Sequence, residues 1–126
     1  MPNIIIETSR DDLITKPDQL LARINEYLWQ SGQFAHPTDI KSRIYSPSNA
    51  MIGLASESGN DFIFVRLYLM PGRDDTTLQR LVQTIADAIA AHIETFEDKT
   101  SFQQLHVGIN PIVLSQNYLK TVMTFS

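Results

Sequence analysis

Residues 62–70 constrain the fold more than any other stretch of this sequence. Ile63, Val65, Leu67 and Leu69 alternate there with Phe62, Phe64, Arg66, Tyr68 and Met70. Alternation puts the two sets on opposite faces of a strand, and both sets are largely apolar. A strand apolar on both sides belongs in a sheet that is covered on both sides. Helices can cover one side. The aromatic side needs a different cover.

Two stretches read as the helices. Pro17 suits a first helical turn, Leu20, Leu21, Ile24, Tyr27 and Leu28 recur on one face, and Gly32 closes the run, which predicts a helix over 17–31. Leu78, Leu81, Val82, Ile85, Ala86, Ile89 and Ile93, with Phe96 beyond, predict a second over 74–96 with Asp74 or Asp75 as its N-cap. Three further strands are expected over 3–8, 39–45 and 102–109, the last stopped by Asn110-Pro111. In the first, Ile4 and Ile6 oppose Ile5 and Glu7. Residues 9–16 read as a polar connection, and 47–60 as a loop or hairpin around Ala50 and Leu54. The tail, 112–126, fits one turn of helix followed by a terminal strand.

This order is a strand–helix–strand unit followed by a second one. Crossovers of this length join parallel strands. The expectation is an α+β fold of duplicated β-α-β units, a four-stranded sheet with two helices on one face. The face carrying Phe62, Phe64 and Tyr68 is then bare in a monomer, and self-association in a closed ring covers it economically.

Length and composition narrow the function. The 126 residues fit one domain, 1–126, and the net charge of −4 with no basic tract argues against a general nucleic-acid or membrane-surface role. The absence of cysteine removes disulfides, thiol catalysis and thiolate metal sites. No apolar run approaches the ~20 residues of a membrane span, and the start lacks a secretory pattern, so a cytoplasmic protein is expected. His36, His92 and His106 are too scattered for a metal triad, and His92 reads as a surface residue of the second helix. No phosphate-cradling glycine loop, catalytic serine motif or dinucleotide fingerprint is present, and residues 53–59 do not make one.

The chemically suggestive feature is the start, Met1-Pro2-Asn3. Methionine is usually trimmed before a small residue, which here would leave Pro2 with a free secondary amine. An α-amine titrates near ~8, and desolvation or nearby cations bring it down towards the range of a general base. A Met-Pro start is also simply common, and a retained Met1 would make Pro2 mute. Lys41 and Arg43 share a strand face with Asp39 and Tyr45; spacing alone equally fits an edge strand charged against aggregation. Glu7 reads as an ion-pair partner for Arg66, and Phe125 as the apolar wall of a neighbour's pocket or as plain packing.

Taken together, Pro2-Asn3-Ile4-Ile5-Ile6-Glu7, Gly32-Gln33-Phe34, Asp39-Ile40-Lys41-Ser42-Arg43, Phe64-Val65-Arg66-Leu67 and Gly72-Arg73 resemble, in order and spacing, the 5-carboxymethyl-2-hydroxymuconate isomerases. These belong to the tautomerase superfamily, with 4-oxalocrotonate tautomerase and macrophage migration inhibitory factor. The resemblance implies a homotrimer of duplicated β-α-β units. It also implies a cofactor-free and metal-free isomerase that moves a proton within a small unsaturated dicarboxylic acid, in aromatic-compound degradation. Pro2 matches the catalytic base and Arg73 the arginine of the Gly-Arg turn. Lys41 stands where some relatives have a substrate-binding arginine, and Arg43 matches a second basic residue of that strand. Asn3 stands where histidine is frequent. Two alternatives remain on the sequence: a hydratase-type relative, which needs an acid beyond Glu7, and a non-catalytic trimer that binds a ligand or partner.

Overall fold

A computed structural model of the chain describes residues 1–54, 60–98 and 102–125. The elements in order are β1 (Asn3–Thr8), α1 (Pro17–Gln30), a short 3-10 turn (Pro37–Asp39), β2 (Lys41–Tyr45), β3 (Asn60–Leu69), α2 (Asp75–Phe96) and β4 (Gln104–Val113). The strands form one sheet in the order β2-β1-β3-β4. β1 pairs parallel with β2 and β3 parallel with β4, while β1 and β3 meet antiparallel at the centre. Two parallel β-α-β units are thus joined back to back.

The alternation within β1 and β3 decides what is buried. Ile4, Ile6, Ile63, Val65, Leu67 and Leu69 are fully covered by Leu20, Ile24 and Leu28 of α1 and Leu81, Ile85 and Ile89 of α2, one continuous core. Both helices therefore lie on the same face, as expected. Burying such side chains stabilises by about 1.5–3 kcal/mol each. On the other face Phe64 stays 40% exposed and Tyr45 56%, so the second apolar face is open in a single chain. Glu7 and Arg66 form an ion pair on that open face.

Helix ends follow the sequence signals. Gly32, at φ 76°, lies just past α1, and its N–H donates to Trp29 O at 3.2 Å. The Asp74 carboxylate accepts from Thr77 N–H at 2.8 Å and caps α2.

Four expectations need correction. β2 begins at Lys41 rather than Asp39, because Pro37 opens a 3-10 turn in which the Asp39 carboxylate accepts from His36 N–H. β4 does not stop at Asn110-Pro111. Leu114 N–H donates to Leu69 O at 2.8 Å, and N–H groups alternate sides along a strand. Pro111, three residues earlier, therefore turns its nitrogen outward, where this edge strand has no partner to miss it. The tail after Val113 has a turn at Ser115–Tyr118 but no terminal strand among the described residues. Finally, His92 is fully buried rather than on the surface. Its Nε2–H donates to Thr15 O at 2.8 Å, and its ring packs on Phe96 at 4.9 Å between centroids.

The connection read as polar, 9–16, also plugs the core with Leu13 and Ile14. It is pinned to the end of α2, where Glu97 accepts from Thr15 N–H at 2.6 Å and Thr15 Oγ1 at 3.0 Å. The start of that connection forms a second polar cluster. Asp61, buried at the beginning of β3, accepts from Ser9 Oγ at 2.7 Å and Arg10 Nε at 3.2 Å, and Arg10 also reaches Asp12 at 2.7 Å. Residues 55–59, part of the expected 47–60 hairpin, lie outside the described residues.

Candidate active site

The sheet register brings the start of β1 to the end of β3. Asn3 lies opposite Tyr68 on one side and Lys41 on the other, so the amino terminus sits beside the Pro71-Gly72-Arg73 turn and the first residues of β2. Gly72 takes φ 118°, a conformation open to glycine, and this turns the chain out of β3 and into α2 with Arg73 at the corner. Pro2 itself is buried, and its carbonyl accepts from Lys41 N–H at 3.1 Å.

Charges converge on the chain's first nitrogen. Burial lowers the pKa of the Met1 amine below its ordinary value of 8.0; Asp39 opposes this, while Lys120, Lys41 and Arg73 push the same way as burial. The amine lies 4.0 Å from Asp39 Oδ1. Partial desolvation beside several cations disfavours an ammonium, which is the setting a nitrogen base requires.

Arg73 is the most telling of the cations. Its Nη2 donates to Gln33 O at 3.0 Å, its Nη1 reaches Met70 O at 3.5 Å, and the guanidinium stands 5.2 Å over the Phe34 ring. Its Nε is buried without a partner, and desolvation lowers its pKa, though a guanidinium keeps its charge. Among the described residues no carboxylate pairs with it. Arg43 likewise has no carboxylate there: its two terminal nitrogens donate to Asn3 Oδ1 at 3.3 and 3.4 Å. Lys41 donates to Thr38 O at 2.9 Å and Asp39 O at 3.5 Å. Guanidinium groups held only by neutral oxygens keep a charge that can pair with an external anion.

Of the residues singled out in the sequence, Pro2, Lys41, Arg43 and Arg73 are thus brought to one corner of the sheet. Phe125 stands 87% exposed on the tail. Sequence reasoning missed Lys120 and Tyr118. Lys120 Nζ donates to Asp39 Oδ1 at 2.9 Å, and the Tyr118 hydroxyl meets Met1 Sδ at 3.9 Å. No periodicity marks either one, because the tail has no repeating structure to reveal a face.

Two hollows of about 650 and 330 Å³ lie at the opposite corner, around Ser9, Arg10 and Met51. Arg10 there is already engaged by Asp61 and Asp12, so they offer an anion no free cation. Among the described residues, no helix is long and apolar enough to cross a membrane.

No protein-family model matches the sequence, and neither does any curated protein. Solved structures do match. A 5-carboxymethyl-2-hydroxymuconate isomerase from Deinococcus radiodurans R1 superposes with a TM-score of 0.81 at 17% identity, over 95% of this chain and 88% of that one. A 5-carboxymethyl-2-hydroxymuconate delta-isomerase gives 0.79 at 15% identity, over 98% and 89%. A fused 4-OT, solved as a symmetric trimer, gives 0.58 at 20% identity, over 94% and 93%. The chain has the tautomerase fold.

Proposed function

We propose that this chain is a cofactor-free isomerase that shifts a proton within a small unsaturated keto or hydroxy dicarboxylic acid, with the Pro2 nitrogen as the base once Met1 is removed. The observation that carries the proposal is the meeting at the sheet corner of a chain start whose Met1 nitrogen is partly desolvated and the half-buried Arg73 guanidinium, which has no carboxylate partner among the described residues. The two muconate isomerases that share the fold support this substrate class.

The steps follow from those groups. The neutral nitrogen of Pro2 takes a proton from the substrate's enol hydroxyl or from carbon beside its carbonyl. The electron pair moves through the conjugated system, and negative charge builds on oxygen. Arg73 stabilises that oxygen and, with Lys41 or Arg43, holds a carboxylate through paired hydrogen bonds. The protonated nitrogen returns the proton to a different carbon. The base is regenerated and no atom is gained or lost.

A closed homotrimer covers the open face of β3, and the trimeric fused 4-OT supports that arrangement. In it Phe125 is offered to a neighbouring protomer. The hydration alternative would draw on Glu7, which pairs with Arg66 here.

The direct test compares the trimmed protein with a form that retains Met1, following 2-hydroxymuconate by its ultraviolet absorbance. The retained form is expected to lose about 10²–10⁴-fold in kcat/KM, the usual worth of a positioned general base. Equal turnover by both forms would rule out the Pro2 mechanism.

A further inference from the structure

The carboxy-terminal tail brings a cation to the amino-terminal corner from 81 residues away in sequence. We infer that Lys120 is a second carboxylate-binding group of the site, held ready by Asp39, and that it selects substrates carrying two carboxylates over those carrying one. The inference rests on the reading of this corner as a dicarboxylate site.

Geometry supplies the argument. Asp39 Oδ1 lies 4.0 Å from the Met1 nitrogen, one residue ahead of Pro2, and 2.9 Å from Lys120 Nζ. One oxygen links the two, so Lys120 lies no farther from that nitrogen than the sum of those distances. An ammonium has three donors, and Asp39 occupies one. Lys41, by contrast, spends two on backbone carbonyls. Lys120 is also half-exposed and can move.

Arg73 and Lys120 are anchored on different sides of the corner. Arg73 is fixed by Met70 and Gln33, at the end of β3 and just past α1, whereas Lys120 is fixed by Asp39, ahead of β2. Two cations on separate anchors flanking one nitrogen suit an acid with a carboxylate at each end. Asp39 also holds its second oxygen to His36 N–H, which keeps it in place when Lys120 turns to a ligand. Asp39 thus acts as a positioning residue and Lys120 as the group that touches substrate.

The test uses the trimmed full-length protein, 2-hydroxymuconate as diacid and phenylenolpyruvate as an enol with a single carboxylate. Lys120→Ala is expected to raise KM for the diacid by about tenfold or more, the worth of one charged hydrogen bond, and KM for the monoacid by much less, so that the ratio of the two rises about tenfold. Lys120→Arg should restore the diacid KM. Asp39→Asn removes the carboxylate that positions Lys120 yet leaves the ammonium, so it should raise the diacid KM by less than Lys120→Ala does. If Lys120→Ala and Asp39→Asn weaken both substrates alike, the pair merely ties down the tail and the inference falls. The binding of unreactive cis,cis-muconate, measured by calorimetry, reads Lys120 without turnover. An unchanged affinity in Lys120→Ala overturns the inference even where the Met1 test succeeds, and a tenfold loss supports it even where that test fails.

Discussion

The first nitrogen of the chain is governed by four side chains, one acidic and three basic, and the sign of each can be measured. Burial, Lys120, Lys41 and Arg73 lower its pKa, and Asp39 raises it. The Met1-bearing protein therefore titrates at its amine below about 8, the value of a free α-amine. Asp39→Asn should move that titration to still lower pH, and Lys41→Ala to higher pH, both seen by NMR of isotope-labelled Met1. A shift in the opposite sense for either variant would mean that the side chains do not stand as described. Under the proposed function the same groups would act on the Pro2 nitrogen once Met1 is removed. A base must be unprotonated, so a lowered pKa keeps more of it active at neutral pH and places the acid limb of the rate profile below the free-amine value. Pro2 stood out in the sequence for its amine chemistry, and Arg73, Lys41 and Arg43 only through the family resemblance; the sheet register is what brings the four together. Lys120 and Asp39 did not stand out. Their meeting depends on where an irregular tail lands, and no local pattern encodes that.

Elements were legible to the degree that a period marks them. The faces of α1, α2, β1 and β3 follow from spacing, and each face buried as its apolar residues require. The edges were harder. Pro111 reads as a stop until the strand is known to lie at the sheet's edge with that nitrogen turned outward, a fact of topology rather than of sequence. His92 misled because an imidazole on a helix is usually wet, whereas this one has Thr15 O within reach. The junction it forms with Glu97 fastens the β1–α1 connection to the end of α2. Glu97 is nearly buried and accepts two hydrogen bonds from Thr15, with His92 Nε2 at 3.7 Å. Glu97→Ala should therefore destabilise by about 1–3 kcal/mol, because it leaves the Thr15 N–H and hydroxyl unsatisfied. Chemical denaturation gives the number. The active corner lies at the other end of β1, so turnover at low temperature should stay near that of the parent protein.

At the scale of the whole molecule, the open sheet face determines behaviour. Phe64 is half out of water within one chain, and Gly108 on β4 leaves room for its ring, with the ring's nearest atom 3.3 Å from where a Cβ would stand. A charge at this position costs the single chain little and the assembly much. If the protein forms the proposed trimer, of three times 14.3 kDa, Phe64→Glu is expected to reduce the solution mass to that of one chain, with the far-ultraviolet circular dichroism retained. Light scattering reads the mass. A parent protein that runs as a single chain would remove the need for any covering partner. The back-to-back arrangement of the two β-α-β halves has a last consequence. Turning one half onto the other carries the start of β1 onto the start of β3, where Asp61 is sealed by Ser9 and Arg10. The twin of the candidate site holds a paired carboxylate where its counterpart holds a nitrogen. On the proposed function, the two halves of the scaffold differ in what they offer a ligand, and each polypeptide would contribute a single reaction centre however many copies gather.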